Sequence, residues 1–175
     1  MSETILKITT AEICILKLNY SISNTSFGEM LISSTEKGIF YAGFANENKN
    51  VLADLKNRLP QANFTEKSDA FQQQAFDFLN GKTKQIPPFH LKCTDFQVDV
   101  WNALLKIPCG QRVSYQDIAL QIGKPKACRA VGSAIGKNPV AVLIPCHRVL
   151  QSSGGLGGFY WGLEVKKRIL EKEKS

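Results

Sequence analysis

The chain has 175 residues, 43% of them hydrophobic and 21% charged, a balance that excludes a disordered or fibrous protein and allows a sizeable buried core. Its five cysteines are odd in number and contain no CxxC pair, which argues against a disulfide framework and against the usual paired-ligand zinc site. The net charge of +7 is unevenly placed: residues 1–92 hold 10 basic and 9 acidic side chains, residues 93–175 hold 12 and 6. A second half of that sign suits a polyanionic partner, with nucleic acid first and an anionic membrane surface or plain solubility as the other readings. The opening MSETILKITTAEICILKL has neither a basic n-region nor a long apolar core, and no window is apolar over the length of a membrane span. A soluble, intracellular protein with reduced thiols is expected.

In chain order, ICILKLNYSI and GEMLISSTEKGIFYAGF are rich in Ile, Leu, Phe and Tyr, with turn residues at Asn24 and at Lys37-Gly38. They predict strands joined as hairpins. NKNVLADLKNRLP sets Val51, Leu52, Leu55 and Leu59 at helical spacing before a proline stop. SDAFQQQAFDFLNGK does the same with Phe71, Ala75, Phe78 and Leu79, opening at Ser68 and closing at Asn80-Gly81. The double proline of KQIPPFHLK favours an extended connection and marks a domain boundary at 87/88. TDFQVDVWNALLKIP then offers Thr94 as a helix cap and Phe96, Val100 and Leu104 on one face. The expected fold class is α/β in the α+β sense. A mixed strand-helix domain, residues 1–87, precedes a mainly helical domain, residues 88–175, that carries a helix-turn-helix.

That motif is SYQDIALQIGKPKACRAVGSAIGKNP, in which Ser114 caps a short helix to Gln121, Gly123 ends it, and a second helix spans Ala127 to Gly136. Many helical hairpins share the pattern and bind no DNA. The second helix is distinguished by its side chains: Ala127, Ala130, Gly132, Ser133, Ala134 and Gly136 are too short to read base edges. Arg129 is the one long basic side chain in its first turns. Such a helix approaches a groove closely without selecting a sequence.

LIPCHRVL, Leu143 to Leu150, sets one of the chain's two histidines, His147, beside Cys146. A free thiol titrates near about 8.5 and only the thiolate is nucleophilic, so a reactive cysteine needs a base, a positive neighbour or a helix N-terminus. His147 can serve as that base, directly or through a water, with Glu164, Glu171 or Glu173 fixing its tautomer. The alternative is a buried apolar cysteine beside a satisfied histidine, the commoner fate of an arbitrary Cys-His pair.

IPCHRV, SYQDIA, CRAVGSAIGKNP and SSGGLGGFYWGLEVKKRILEKE occur in the order found in one family. From Phe96 to Glu173 the chain strongly resembles the O6-alkylguanine-DNA alkyltransferases, while its first half resembles their N-terminal, ribonuclease H-like domain in organisation only. The resemblance implies a stand-alone DNA repair protein without the cysteine-rich activator domain of the adaptive-response relatives. It flips O6-alkylguanine out of duplex DNA, with O4-alkylthymine as a further candidate, and moves the alkyl group irreversibly to its own Cys146. One protein is consumed per lesion and no cofactor is used.

Carried over residue by residue, the resemblance implies His147 as a water-mediated base and Glu173 as the acid that orients it. Asn138 holds the turn before an active-site strand, Tyr115 contacts the flipped nucleotide and helps protonate the leaving guanine, and Lys166 is the lysine near the same pocket. Arg129 is the finger that fills the vacated stack, with Tyr115, Ala127, Ala130, Gly132 and Ser133 along the minor groove and no sequence preference. Val149, Phe159, Tyr160, Trp161 and Ala141 line the alkyl pocket, and Arg148 pairs within the domain to secure the motif.

Many members have tyrosine at the place of Phe159, so stacking is kept and a hydroxyl lost. Trp161 and Ala141 stand where some relatives have glycine and proline, and narrow the site against benzyl-sized groups. Of the N-terminal cysteines and histidines that hold zinc in some members only Cys14 and His90 are present, so no metal is expected. The expected partner is double-stranded DNA bearing alkylated bases, bound by a cytoplasmic monomer with no membrane contact. A cysteine hydrolase would need a histidine from elsewhere, and only His90 is available. A DNA-binding module without chemistry would lack the acceptor cysteine.

Overall fold

The strand-rich first half builds a sheet whose middle is covered on both sides. The computed structural model describes residues 4–45 and 50–174. Three strands, β2 (Lys17–Thr25), β3 (Gly28–Thr35) and β4 (Gly38–Phe44), run antiparallel in sequence order, and the turns between them fall at 26–27 and 36–37. The first turn lies beyond the expected Asn24 because β2 stays paired with β3 as far as Thr25 opposite Gly28. Shorter strands extend the sheet in parallel: β5 (Asn63–Glu66) beside β2, and β6 (Phe89–Leu91) between β4 and β1 (Ile5–Lys7). The order is β1-β6-β4-β3-β2-β5.

Every residue of β4 is buried, as both faces are occupied. On one face the Tyr41 hydroxyl donates to Asp54 of α2 (Val51–Arg58) at 2.7 Å. On the other, Ser21 and Ser34 donate to Gln72 and Asp69 at the start of α3 (Ala70–Leu79). Asp69, not Ser68, caps α3, its carboxylate accepting from the Gln72 N–H at 3.1 Å. The buried face of α3 is Gln72, Ala75, Phe76 and Leu79, which leaves the expected Phe71 and Phe78 half-buried, since hydrogen bonds to Gln72 rotate the helix away from a purely apolar seam.

The division into compact units lies at Cys93/Thr94 rather than at 87/88. The residues after the double proline form β6, whose register with β1 (Ile5 opposite Phe89) ties them to the first unit. Gly38 opens β4 against this segment: the Ile39 N–H donates to the Pro88 carbonyl at 2.8 Å, and a Cβ on Gly38 would lie 2.5 Å from that same oxygen. Gly38→Ala is therefore expected to destabilise the protein by about 2 kcal/mol, seen as a lower denaturant midpoint at unchanged slope. His90, in β6, is buried with its Nδ1 2.8 Å from the Thr35 hydroxyl. Pro139–Leu143 also belongs to this unit, running parallel to β4 with the Ala141 N–H on the Ala42 carbonyl at 2.9 Å.

The second unit comprises Thr94–Asn138 and the chain from Ile144 onward. Helix α4 (Asp95–Leu105) starts at a Thr94/Gln97 capping box and buries Val100, Trp101, Ala103 and Leu104. Phe96, expected on that face, is half-buried with the Lys124 ammonium 5.0 Å from its ring centroid. Helices α5 (Tyr115–Gln121) and α6 (Cys128–Gly136) pack on α4, and the Trp101 indole N–H donates to the Ala134 carbonyl at 3.0 Å. Ala127 is the N-cap of α6 instead of its first residue. A two-strand parallel pair, β7 (Val113–Ser114) with β8 (Val149–Leu150), and helix α7 (Leu163–Lys172) complete the unit. No helix of the described residues is long and apolar enough to cross a membrane.

Candidate functional site

Cys146 sits in a tight turn, not on a strand. Pro145, at φ −80° and ψ 60°, forms an inverse γ-turn in which the Cys146 N–H reaches the Ile144 carbonyl at 2.8 Å. Cys146–Arg148 then makes one turn of 3₁₀ helix, and only Val149–Leu150 is extended. The expected active-site strand thus begins three residues later than the cysteine, because the proline ring fixes a bend ahead of it. Upstream, Val142 takes a left-handed φ of 69° while the Leu143 N–H donates to the Ala141 carbonyl at 2.8 Å. A β-branched residue in that region is strained and is held there by packing, being 5% exposed. The Asn138 amide donates to the Ile144 carbonyl at 2.9 Å, anchoring the return of the chain.

The register of β7 with β8 brings the start of α5 to this turn: Val113 pairs with Val149 and Ser114 with Leu150. Ser114 and Asp117 form a capping box, with the Asp117 N–H on the Ser114 hydroxyl at 3.1 Å. Tyr115 therefore enters α5 at a set angle. A Cβ on Gly132 of α6 would touch its ring at 3.7 Å, and one on Gly157 would lie 2.6 Å from its hydroxyl oxygen. Burial raises the Tyr115 phenol, and the nearby Cys146 adds to the effect.

His147 is fully buried, with Nε2 2.8 Å from Glu173 Oε1. Glu173 lies at the C-cap of α7 and also takes the Arg148 guanidinium, Nε at 3.1 Å and Nη2 at 2.6 Å; Arg148 Nη1 reaches the Ile107 carbonyl at 2.6 Å. Burial alone would raise the Glu173 carboxyl. Hydrogen bonds from His147 and Arg148, with their charges, bring it down to about 2. A carboxylate can only accept, so Nε2 carries the proton and Nδ1 is left as a lone-pair acceptor. Nδ1 is buried and has no hydrogen-bond partner among the described residues. Burial also lowers the His147 imidazole, against the pull of Glu173, so the neutral base is the resting form. Cys146 is 9% exposed, and burial raises its thiol; a hydrogen bond from Asn138 and the Lys166 charge act in the opposite sense. The turn thus carries a neutral thiol and a neutral imidazole in succession, the two protonation states from which a thiol-to-imidazole proton transfer starts.

Of the three acids adjacent in sequence, Glu173 alone reaches His147, while Glu164 pairs with Lys167 at 2.9 Å on the surface. Lys166 is fully buried. On α6, Arg129, Ala130 and Ser133 are exposed and Ala127 and Gly132 half-exposed, a nearly smooth face with one long cation at its start. Val149 is fully buried, Trp161 is 8% exposed and T-stacked with Tyr160 at a centroid distance of 5.1 Å, and Phe159 is half-buried. Ala141 lies in the segment grouped with the first unit. Among the described residues no cluster of three or more His, Cys, Asp or Glu could hold a metal ion. Sequence reasoning missed Gly157, whose only signal was its place in the glycine-rich run Gly154–Gly158, and the Ile107 carbonyl that anchors Arg148.

A buried thiol followed by a carboxylate-held histidine, in one unit with a helix-turn-helix whose outer helix is nearly smooth, has the make-up of a cysteine-bearing, DNA-binding type of domain. The family model for the 6-O-methylguanine DNA methyltransferase, DNA binding domain, matches residues 95–175. The chain is 43% identical over 148 residues to the inducible methylated-DNA–protein-cysteine methyltransferase of Bacillus subtilis (strain 168), covering 82% of this chain and 83% of that protein. It is 36% identical over 162 residues to the bifunctional transcriptional activator/DNA repair enzyme Ada of Escherichia coli (strain K12), where it covers 90% of this chain but spans only 46% of that relative. Among solved structures it is similar to Mycobacterium tuberculosis OGT in complex with DNA, with a TM-score of 0.70, 32% identity, and 89% and 92% of the two chains covered. The chain belongs to the methylated-DNA–protein-cysteine methyltransferase family.

Proposed function

We propose that this protein repairs alkylated DNA by accepting the alkyl group on Cys146, a reading carried by the one buried thiol that lies beside a neutral, carboxylate-held histidine. The thiol proton passes to His147 Nδ1 through a water. The sulfur attacks the alkyl carbon on O6 of guanine, the S–C bond forms as the O6–C bond breaks, and the electron pair leaves with the base. Guanine is a poor leaving group, so it needs a proton, and the Tyr115 hydroxyl, beside Cys146 and raised above its ordinary value, delivers one that the histidine replaces. The thioether has no path to hydrolysis, so each protein acts once.

The target atom is hidden in the duplex, so the nucleotide leaves the stack. The exposed face of α6, with Ala130 and Ser133, lies along the minor groove without reading sequence, and Arg129 fills the gap left by the flipped base. Val149, Phe159, Tyr160 and Trp161 shape the alkyl pocket, in which the buried indole of Trp161 favours small groups such as methyl. O4-alkylthymine is a second substrate. The protein acts as a cytoplasmic monomer.

Mixing the protein with a duplex bearing one O6-methylguanine is expected to add a single methylene unit, about 14 Da, to Cys146 by intact mass, with none on Cys146→Ala. Repeated product release, or an adduct elsewhere, would sink the acceptor role. The pH dependence follows from His147. Its lowered value keeps the imidazole neutral as pH falls through its ordinary 6.5, so the base is lost only below that point. The acid limb of the single-turnover rate is expected to have its midpoint below the ordinary 6.5 of an imidazole, and a midpoint at or above 6.5 would show that burial does not keep this base neutral.

A further inference from the structure

Lys166 does more than place a charge near the thiol. Its ammonium meets three backbone carbonyls, Val149 at 2.8 Å, Leu156, and Gly158 at 3.4 Å. An ammonium has three N–H donors and no acceptor, so those carbonyls occupy all of it and leave no proton for a substrate. Burial pulls Lys166 down to about 8, against the pull of Cys146, and the charged form is the one present at neutral pH.

The three carbonyls are not scattered. Val149 directly follows the Cys146–Arg148 turn, and Leu156 and Gly158 stand on either side of Gly157. One buried cation thus ties the start of β8 to the glycine-rich loop on both sides of Gly157. Gly157 holds a left-handed φ of 68°, and a side chain there would meet the Tyr115 hydroxyl at 2.6 Å and its Cε2 at 3.3 Å. The loop is seated against the phenol as closely as a bare backbone allows.

We infer that Lys166 is a positioning residue: by gripping the carbonyls that flank Gly157 it seats the loop on Tyr115, and so sets where the phenol hydroxyl stands relative to the leaving base. The inference rests on the proposed reading of Cys146 as acceptor. Charge alone would need no three-carbonyl grip, and a purely structural lysine would have no particular tie to Tyr115.

The test is a double-mutant cycle. Single-turnover transfer from the O6-methylguanine duplex is measured at saturating DNA for the wild type, Lys166→Met, Tyr115→Phe and the pair, alongside affinity for undamaged duplex. Lys166→Met is expected to slow transfer by about 10²-fold, the loss typical of a reacting group misplaced by about 1 Å. Duplex affinity stays within about twofold, and in the Tyr115→Phe background the same change costs no more than about twofold. An unchanged rate, equal losses in both backgrounds, or a matching loss of duplex affinity overturns the inference.

Gly157→Ala disturbs the same contact with the cation intact. It is expected to slow transfer in the wild-type background and to cost less in the Tyr115→Phe background, where the oxygen at 2.6 Å is gone. A wild-type rate for Gly157→Ala, or equal losses in both backgrounds, overturns the inference even where Lys166→Met does not fold. Absence of any adduct on the wild-type protein instead defeats the acceptor reading, so the two failures are told apart.

Discussion

Glu173→Gln is expected to slow alkyl transfer by about 10²-fold while the protein stays folded, because it removes the negative charge beside the imidazolium that forms when His147 takes the thiol proton. His147 Nε2 and Arg148 Nη2 meet the same oxygen, Oε1, at 2.8 and 2.6 Å, and Arg148 Nε lies 3.1 Å from both oxygens. The new amide therefore sets its oxygen in the Oε1 place, where it accepts from both side chains, so the histidine tautomer is kept while the charge is lost. The check is the single-turnover rate together with the melting temperature. A rate near that of the wild type would show that the carboxylate charge does not support the base.

Glu173→Ala acts differently. It strips the partner from two groups at once and is expected to cost about 3 to 5 kcal/mol, the usual consequence of leaving a buried charge uncompensated. The acid limb of wild-type stability reports the same pairing. The folded carboxyl is depressed to about 2 from its ordinary 4.5, so its contribution is complete above 4.5 and is lost as pH falls from there toward 2. Denaturation curves between pH 6 and 2 should show this loss for the wild type, and Glu173→Gln should lack it.

Arg129→Ala is expected to reduce transfer from duplex DNA by about 10²-fold, corresponding to the few kcal/mol that a flipped nucleotide costs when nothing fills its place. On a single-stranded oligonucleotide, where no stack has to be opened, the same variant should react at nearly the parent rate. Arg129 is exposed at the start of α6, remote from any role in the core, so its loss leaves stability unchanged. Equal losses on duplex and single strand would assign it to general phosphate attraction instead. The comparison uses one variant and two substrates, which cancels differences in protein quality.

The legible parts of this chain were those governed by local rules. Thr94 and Ser114 cap α4 and α5, as their spacing to Gln97 and Asp117 implies, since a capping box is complete within four residues. The hairpins β2-β3-β4 follow from β-branched and aromatic runs separated by short turns. Errors arose where a distant partner intervened. Gln72 became a fully buried residue of α3 because serines on β2 and β3 offer it hydrogen bonds, and no helical period announces that. The boundary moved to Cys93/Thr94 because Phe89–Leu91 finds a parallel partner in Ile5–Lys7, more than 80 residues upstream in sequence.

By itself the sequence determined which side chains are candidates for the chemistry: one Cys-His pair behind a proline, three acids near the C-terminus, and a short-side-chain helix led by a single arginine. It also determined the caps that open α4 and α5, because capping acts over a few bonds. Only the tertiary structure decided which acid holds His147, that Arg148 shares that acid, and that Lys166 divides its protons between Val149 and the loop carrying Gly157. Those contacts join residues 8 to 26 positions apart through the packing of α7 against the cysteine turn. Their energies depend on burial and on exact complements of donors and acceptors, which a linear pattern does not encode.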